Sequence, residues 1–233
     1  MRPPCAARAH RLHARAYARA HAPARSTPRR YMHAHYPATA RVRRTAERAT
    51  GGKVVCAMAA DPAPTLEALD EAVDHVRGAV SARVILVYGD YECPYTRLAF
   101  REIERVEEEL QGNVRFAYRH YPLTEIHAHA LAAAAAAEAA SLQGRFWQMH
   151  ELLFHRQKAL EDADLHRYAN QLELDAARFE LDKTGAPVLE RIRRDVQSGD
   201  ATGAVQGTPT IFIDGLLHRG RYDADALRSA LRS

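Results

Sequence analysis

Cysteine is scarce in this sequence: Cys5, Cys56 and Cys93 are the only three in 233 residues. Three thiols cannot build a disulfide framework. None belongs to a CxxC pair, so the usual signature of a structural zinc site is missing as well. Long apolar runs are also lacking. The longest near-uniform stretch, Ala130 to Ala137, is mostly alanine and falls far short of the ~18 residues a spanning helix requires. That excludes a helical integral membrane protein. No Gly-rich phosphate loop, zinc-protease motif or serine nucleophile elbow is present.

Acids are nearly missing from one end. Residues 1–60 hold thirteen Lys/Arg and a single acid, Glu47, whereas residues 61–233 hold twenty Lys/Arg and twenty-eight Asp/Glu. The formal charges are thus +12 and −8, and the net +4 describes neither part. A nucleic-acid partner is not expected, since phosphate binding needs a localised basic surface on the folded body. The tail is rich in Ala, Arg, His and Pro and cannot bury enough apolar surface to offset the entropy of ordering it. It reads as a basic tail over 1–57, outside the working protein, with Met58 as the functional start. A basic arm and an Arg-rich transit peptide are the competing readings. The apolar stretch Val54 to Ala60, with Ala57-Met58-Ala59 in it resembling a cleavage site, is short and sits behind more than fifty residues, which makes a poor secretory signal, so the cytoplasm is the expected compartment.

Beyond an N-terminal segment of the body (58–82), the pattern becomes regular. Arg83–Tyr88 is a β-branched run expected to be a strand covered on both faces. Gly89-Asp90 breaks it, and Pro94 suits a first helical position. Leu98, Ile103, Val106 and Leu110 then recur among charges as one helix face. Val114–Tyr118 alternates as a second strand, and strand–helix–strand implies a right-handed parallel crossover. No strand signal appears again until about residue 200. Helices are expected over Leu131–Leu142, around Phe146–Phe154, and over Asp164–Leu172, Asp175–Asp182 and Pro187–Ser198. Thr210–Ile213 and Leu216–His218 flank an Asp214-Gly215 hairpin turn, and a helix over Asp223–Leu231 closes the chain.

Chemistry is expected where the first strand meets the first helix. Cys93-Pro94-Tyr95-Thr96 places a thiol at a helix N-cap, where unpaired amides and the helix dipole favour thiolate. Thr96, three residues on, can bring its hydroxyl and amide towards the sulfur. Asp90 and Glu92 oppose a further negative charge there. On spacing alone, an inert buried cysteine remains an open alternative.

The segments VILVYGDYECPYT, VRFAYRHYPLTEIHAHALAAAAAAEAA, GRFWQMHELLF and GTPTIFIDG resemble, in order, the DsbA-like branch of the thioredoxin superfamily. The similarity is closest to the variant appended to some sodium/proton antiporters, and it runs from about Leu69 to Leu231. It implies an α/β thioredoxin fold, a βαβ half over 83–126 and a ββα half over 201–233, with an all-helical insertion over 127–200. It also implies that Cys93 is the nucleophile, that Pro209 is a cis proline lying against the sulfur, and that Pro94, Tyr95 and Thr208 help form a substrate groove. The Thr208 backbone would pair with an extended substrate by strand addition.

The departure from CxxC carries the mechanism. A dithiol enzyme forms a mixed disulfide through its first thiol and releases it by attack of the second. Thr96 cannot make that attack, so this resembles a monothiol variant that needs an external thiol such as glutathione. Substrates would be disulfide-containing proteins or mixed disulfides of small thiols, and no resident cofactor, metal or nucleotide is implied. Two other classes compete: a thioredoxin-fold peptide-binding module without turnover, and a glutathione-dependent transferase or isomerase.

Other candidates have simpler readings. His127 and His129, with His120 nearby, are expected to be structural rather than metal ligands. His150 and His155, five apart, point to different faces of a helix. Phe146, Trp147 and Phe154 suit a core. Tyr91, Tyr95 and Tyr121 are candidates to line the groove, and Glu107-Glu108-Glu109 reads as a solvated helix face.

Overall fold

The structure, a computed structural model, describes residues 66–233. The basic tail, Cys5, Cys56 and the start expected at Met58 lie outside the described residues. Strand β1 spans His75–Arg77 and β2 spans Arg83–Gly89. Helix α1 (Pro94–Leu110) follows, then β3 (Val114–His120). Five helices come next: α2 (Ala130–Ser141), α3 (Phe146–His155), α4 (Asp162–Gln171), α5 (Ala176–Lys183) and α6 (Ala186–Ala201). Strands β4 (Thr210–Ile213) and β5 (Leu216–Leu217) and helix α7 (Ala224–Arg232) complete the order.

The sheet runs β1-β3-β2-β4-β5. Strands β2 and β3 are parallel, in register from Arg83 opposite Val114 to Gly89 opposite His120, as a strand–helix–strand crossover requires. Strand β4 lies antiparallel to β2, and β5 returns beside it. The hairpin between them turns on Asp214 and Gly215, both at positive φ (45° and 82°). That is the backbone a tight two-residue turn needs to follow strand twist. This is the α/β thioredoxin arrangement, with its helical insertion between β3 and β4.

Strand β1 is a correction to the sequence reading, which put no strand before residue 83. It adds an antiparallel edge to β3, His75 facing Tyr118. Three residues, HVR, hold too little alternation to be seen against a polar background.

The sheet is covered on both faces. Ile85, Val87, Phe116 and Tyr118 pack with Phe100 and Ile103 of α1, with the insertion, and with Leu227 of α7. Leu86, Tyr88, Ala117 and Phe212 point the other way, under Leu66, Leu69, Ala204 and Val205. Full burial of a side chain such as Ile103 contributes about 1.5–3 kcal/mol. All seven residues of β3 are buried, its arginines included. Arg119 is bonded through Nε and Nη2 to Asp74 at 2.9 and 2.8 Å, which supplies the charge partner a buried guanidinium requires. Alanines cover α2 on nearly every side, allowing α3, α5 and α6 to approach closely.

Candidate active site at the start of helix α1

Cys93 caps α1 with extended backbone (φ −71°, ψ 118°), and Pro94 occupies the first turn. An extended N-cap followed by proline starts a helix abruptly at the carboxyl end of a central parallel strand. Gly89 lets the strand end there. A Cβ on it would lie 2.5 Å from the Tyr118 ring and 2.8 Å from Thr96 Cγ2, so no side chain fits.

The cysteine is only 4% exposed, while Tyr95 beside it is 58% exposed. The thiol donates to the Thr208 carbonyl at 3.2 Å, and the Thr208–Pro209 peptide is cis. The loop before β4 therefore lies directly against the sulfur. Thr96 is buried, and its hydroxyl accepts from the Asp90 amide at 3.5 Å. Cys93 makes no side-chain cap hydrogen bond to the first turn. The structure thus brings Cys93 and Thr208 into contact, and it turns the Thr96 hydroxyl towards the loop rather than the thiol.

The loop holding Cys93 is braced from several directions. The buried Asp90 carboxylate accepts from the Glu92 amide (2.8 Å), the Leu123 amide (2.9 Å) and His127 Nδ1 (2.7 Å). Glu92 accepts from the amide of His129 at 2.6 Å and from its Nδ1 at 3.1 Å. Burial pushes the Glu92 carboxyl up, but the His129 contacts outweigh it and hold the group below its ordinary value. Gln157 Nε2 donates to the carbonyls of Tyr91 and Cys93 at 2.7 and 2.9 Å, tying the insertion to the loop. Tyr222 also approaches: burial raises its hydroxyl's pKa, and the nearby Tyr95 and Cys93 raise it further.

Two sequence expectations need correction. Tyr91 does not line a groove. It is 1% exposed, packs on Phe154 and Tyr118, and bonds His150 Nδ1 at 2.8 Å. Tyr121 stacks edge-on against Tyr88 and donates to Asp200 at 2.6 Å. Glu107 is likewise not simply solvated, since it takes Arg77 through both oxygens at 2.9 and 2.6 Å. His127 and His129 serve the loop as acid partners. Sequence reasoning missed Gln157 and Tyr222, because neither sits in a local pattern that points to a site over sixty residues away.

The chain matches the family model described as Thioredoxin over residues 70–233. It is 45% identical over 164 residues to "Na(+)/H(+) antiporter NhaA 1" of Salinispora arenicola, covering 69% of this chain and 24% of that protein. A second antiporter, from Herminiimonas arsenicoxydans, is 39% identical over 166 residues, covering 71% and 26% respectively. The chain spans about a quarter of the length of the curated relatives it matches. Among solved structures, a thioredoxin-like oxidoreductase from Silicibacter pomeroyi superimposes with a TM-score of 0.59 at 25% identity, covering 69% of this chain and 93% of that one. Oxidised BdbD from Bacillus subtilis superimposes with a TM-score of 0.63 at 18% identity, covering 74% and 97%, a likeness of fold.

Proposed function

The chain belongs to the thioredoxin family, and on that premise we propose that it exchanges thiols and disulfides in the DsbA-like manner, through Cys93 alone. The observation that carries this reading is the thiol at the start of α1, held 3.2 Å from the Thr208 carbonyl with threonine where a resolving thiol would stand. A thiolate at Cys93 attacks one sulfur of a disulfide. A new sulfur–sulfur bond forms to Cys93, and the other sulfur leaves as a thiolate that takes up a proton. Thr96 has no sulfur with which to break that intermediate. A glutathione thiolate attacks it instead, and Cys93 departs with the electron pair. When the captured group is itself glutathione, the product is glutathione disulfide. One free glutathione is then consumed for each glutathione mixed disulfide reduced, and two for a disulfide that carries no glutathione, which passes through Cys93 twice.

Thr208, Pro209 and the exposed Tyr95 form the rim against which the substrate would lie, with Pro94 setting the helix start beneath it. Disulfide-bearing proteins and mixed disulfides of small thiols are the proposed substrates. The reaction needs a supply of reduced thiol, which favours the cytoplasm as its setting. Among the described residues, no helix is long and apolar enough to cross a membrane.

The test is glutathione-dependent reduction of a small mixed disulfide by the full chain, with intact mass read for an adduct. Wild type should turn over and carry an adduct, and Cys93→Ser should do neither. Thr96→Cys should expel the captured group in a single round without glutathione by closing a disulfide to Cys93, with glutathione needed to reduce that disulfide for the next round. A wild type without adduct or product would leave a binding module in which the groove persists without chemistry.

A further inference from the structure

Beside Tyr91, whose ring lies 5.8 Å from that of His120, two imidazoles and a carboxylate converge. His75 Nε2 lies 2.6 Å and His120 Nε2 2.8 Å from the same oxygen, Oε1 of Glu138. All three ligand atoms fall within 4.8 Å of one another. They come from three elements: the edge strand β1, the end of β3 and the alanine helix α2. We propose that His75, His120 and Glu138 form a binding site for a divalent transition-metal ion of the zinc type, separate from the thiol chemistry.

The donor set suits such an ion. Two imidazole nitrogens and one carboxylate oxygen make a three-ligand zinc site whose fourth position is left to water. Zinc–ligand bonds of about 2.0–2.2 Å place neighbouring ligands roughly 3.4 Å apart, so each observed contact must open by less than about 1 Å.

The rings are already aimed. His75 is stacked flat on Phe146 at 3.4 Å between centroids, and His120 is wedged edge-on against Tyr118. Water can reach the fourth position: a cleft of about 240 Å³ opens onto His75 and Glu138, with Ser141, Leu142, Val188 and Arg191 around it. The cation in that cleft, Arg191, makes its hydrogen bonds elsewhere, and its Nη2 has no hydrogen-bond partner. Arg191 pairs with Asp195 and donates to the Val73 carbonyl at 2.8 Å.

Charge balance argues in the same direction. Glu138 is a buried carboxylate on a helix whose other buried residues are all alanines. Wherever the two imidazoles are neutral they satisfy its hydrogen bonding but leave its charge uncompensated, whereas a bound dication compensates it. One feature works against tight binding. His120 Nδ1 is buried without a partner, and it must carry the ring proton when Nε2 binds metal. Metal-bound histidines generally donate that proton, and loss of such a partner costs roughly 10–100-fold in affinity. The site is therefore expected to bind zinc more weakly than a structural zinc finger does.

The experiment uses the full chain, stripped of metal, and follows its melting temperature as zinc chloride is added. Binding to the folded state alone raises Tm. For a body of this size, zinc at about 100-fold over its dissociation constant should raise Tm by roughly 5–10 °C. Glu138→Gln keeps the shape and hydrogen bonds but removes the charge, and should lose that rise. His75→Gln, on an edge strand, provides a second variant should the first fail to fold. The histidines of residues 1–57 are common to all three proteins, so differences between them report this site. Zinc retained after gel filtration should be about one equivalent greater in wild type than in either variant. No rise in wild type, or an equal rise in a folded variant, would overturn the proposal. The three residues would then be a hydrogen-bonded clasp in which a protonated ring supplies the counter-charge.

Discussion

Cys93 draws its geometry from residues far away in the chain. Its side chain contacts Thr208, and its carbonyl is held by Gln157. Gln157 lies just past α3, and its amide bridges the carbonyls on either side of Glu92. This fixes the backbone from which the thiol projects, so Gln157 is a positioning residue. Replacing it by leucine leaves two acceptors unpaired and should cost about 1–3 kcal/mol of stability. A displacement of the thiol should also slow exchange, by roughly tenfold in kcat with KM nearly unchanged. Steady-state kinetics beside a melting curve separate the two effects. A lower Tm with wild-type kcat would reduce Gln157 to a purely structural group. The cysteine, the proline and the departure at Thr96 could all be read from sequence because they fall in short motifs. Gln157 and the His127–Asp90 and His129–Glu92 pairs could not, because hydrogen bonds across thirty to seventy residues leave no local trace.

At the scale of elements, sequence patterns worked where apolar periodicity was strong and failed where charge did the joining. Strands β2 and β4, helix α1 and the Asp214-Gly215 hairpin all lie within a residue or two of their expected bounds. Strand β1 was invisible because ionic contacts attach it. Arg77 grips Glu107 and Glu151 and lies over the Trp147 ring at 4.7 Å. Just before β1, Asp74 reaches Arg119 on β3, with both side chains fully buried. The Asp74 carboxyl is pushed up by burial, yet Arg119 and the Asp70 amide bring it below its ordinary value. Removing one member of such a pair strands the other charge. Asp74→Asn should therefore destabilise the fold by about 3–5 kcal/mol. Urea unfolding should show a lower midpoint with an unchanged slope, and a loss below about 1 kcal/mol would mean that Arg191 and Arg194 rearrange or that Arg119 finds water.

Across the whole molecule, the insertion and the sheet share one core, and a histidine sits in its middle. His150 on α3 is fully buried among Phe100, Phe116, Tyr118 and Phe154. Its Nδ1 lies 2.8 Å from the Tyr91 hydroxyl, and its Nε2 has no partner. Burial holds its pKa well below the ordinary value, and the positive charge of Arg77 lowers it further. The unfolded chain therefore binds a proton that the folded chain refuses. Stability is fully present above the unfolded value of about 6.5 and falls as pH drops beneath it, with a slope approaching 1.4 kcal/mol per pH unit. His75, also lowered by burial, works in the same direction. The carboxylates held low, Asp74 and Glu92, keep their contribution until pH falls below about 4, and Asp195, raised by burial, works oppositely. Between pH 6.5 and 5 the buried imidazoles therefore work to lower stability as pH falls, with Asp195 and Glu104, both raised by burial, opposing them. Chemical unfolding across that range should show stability declining in wild type and a flatter profile in His150→Gln. Equal slopes in the two proteins would mean that other groups carry the pH dependence and that the folded chain protonates His150 as readily as the unfolded one.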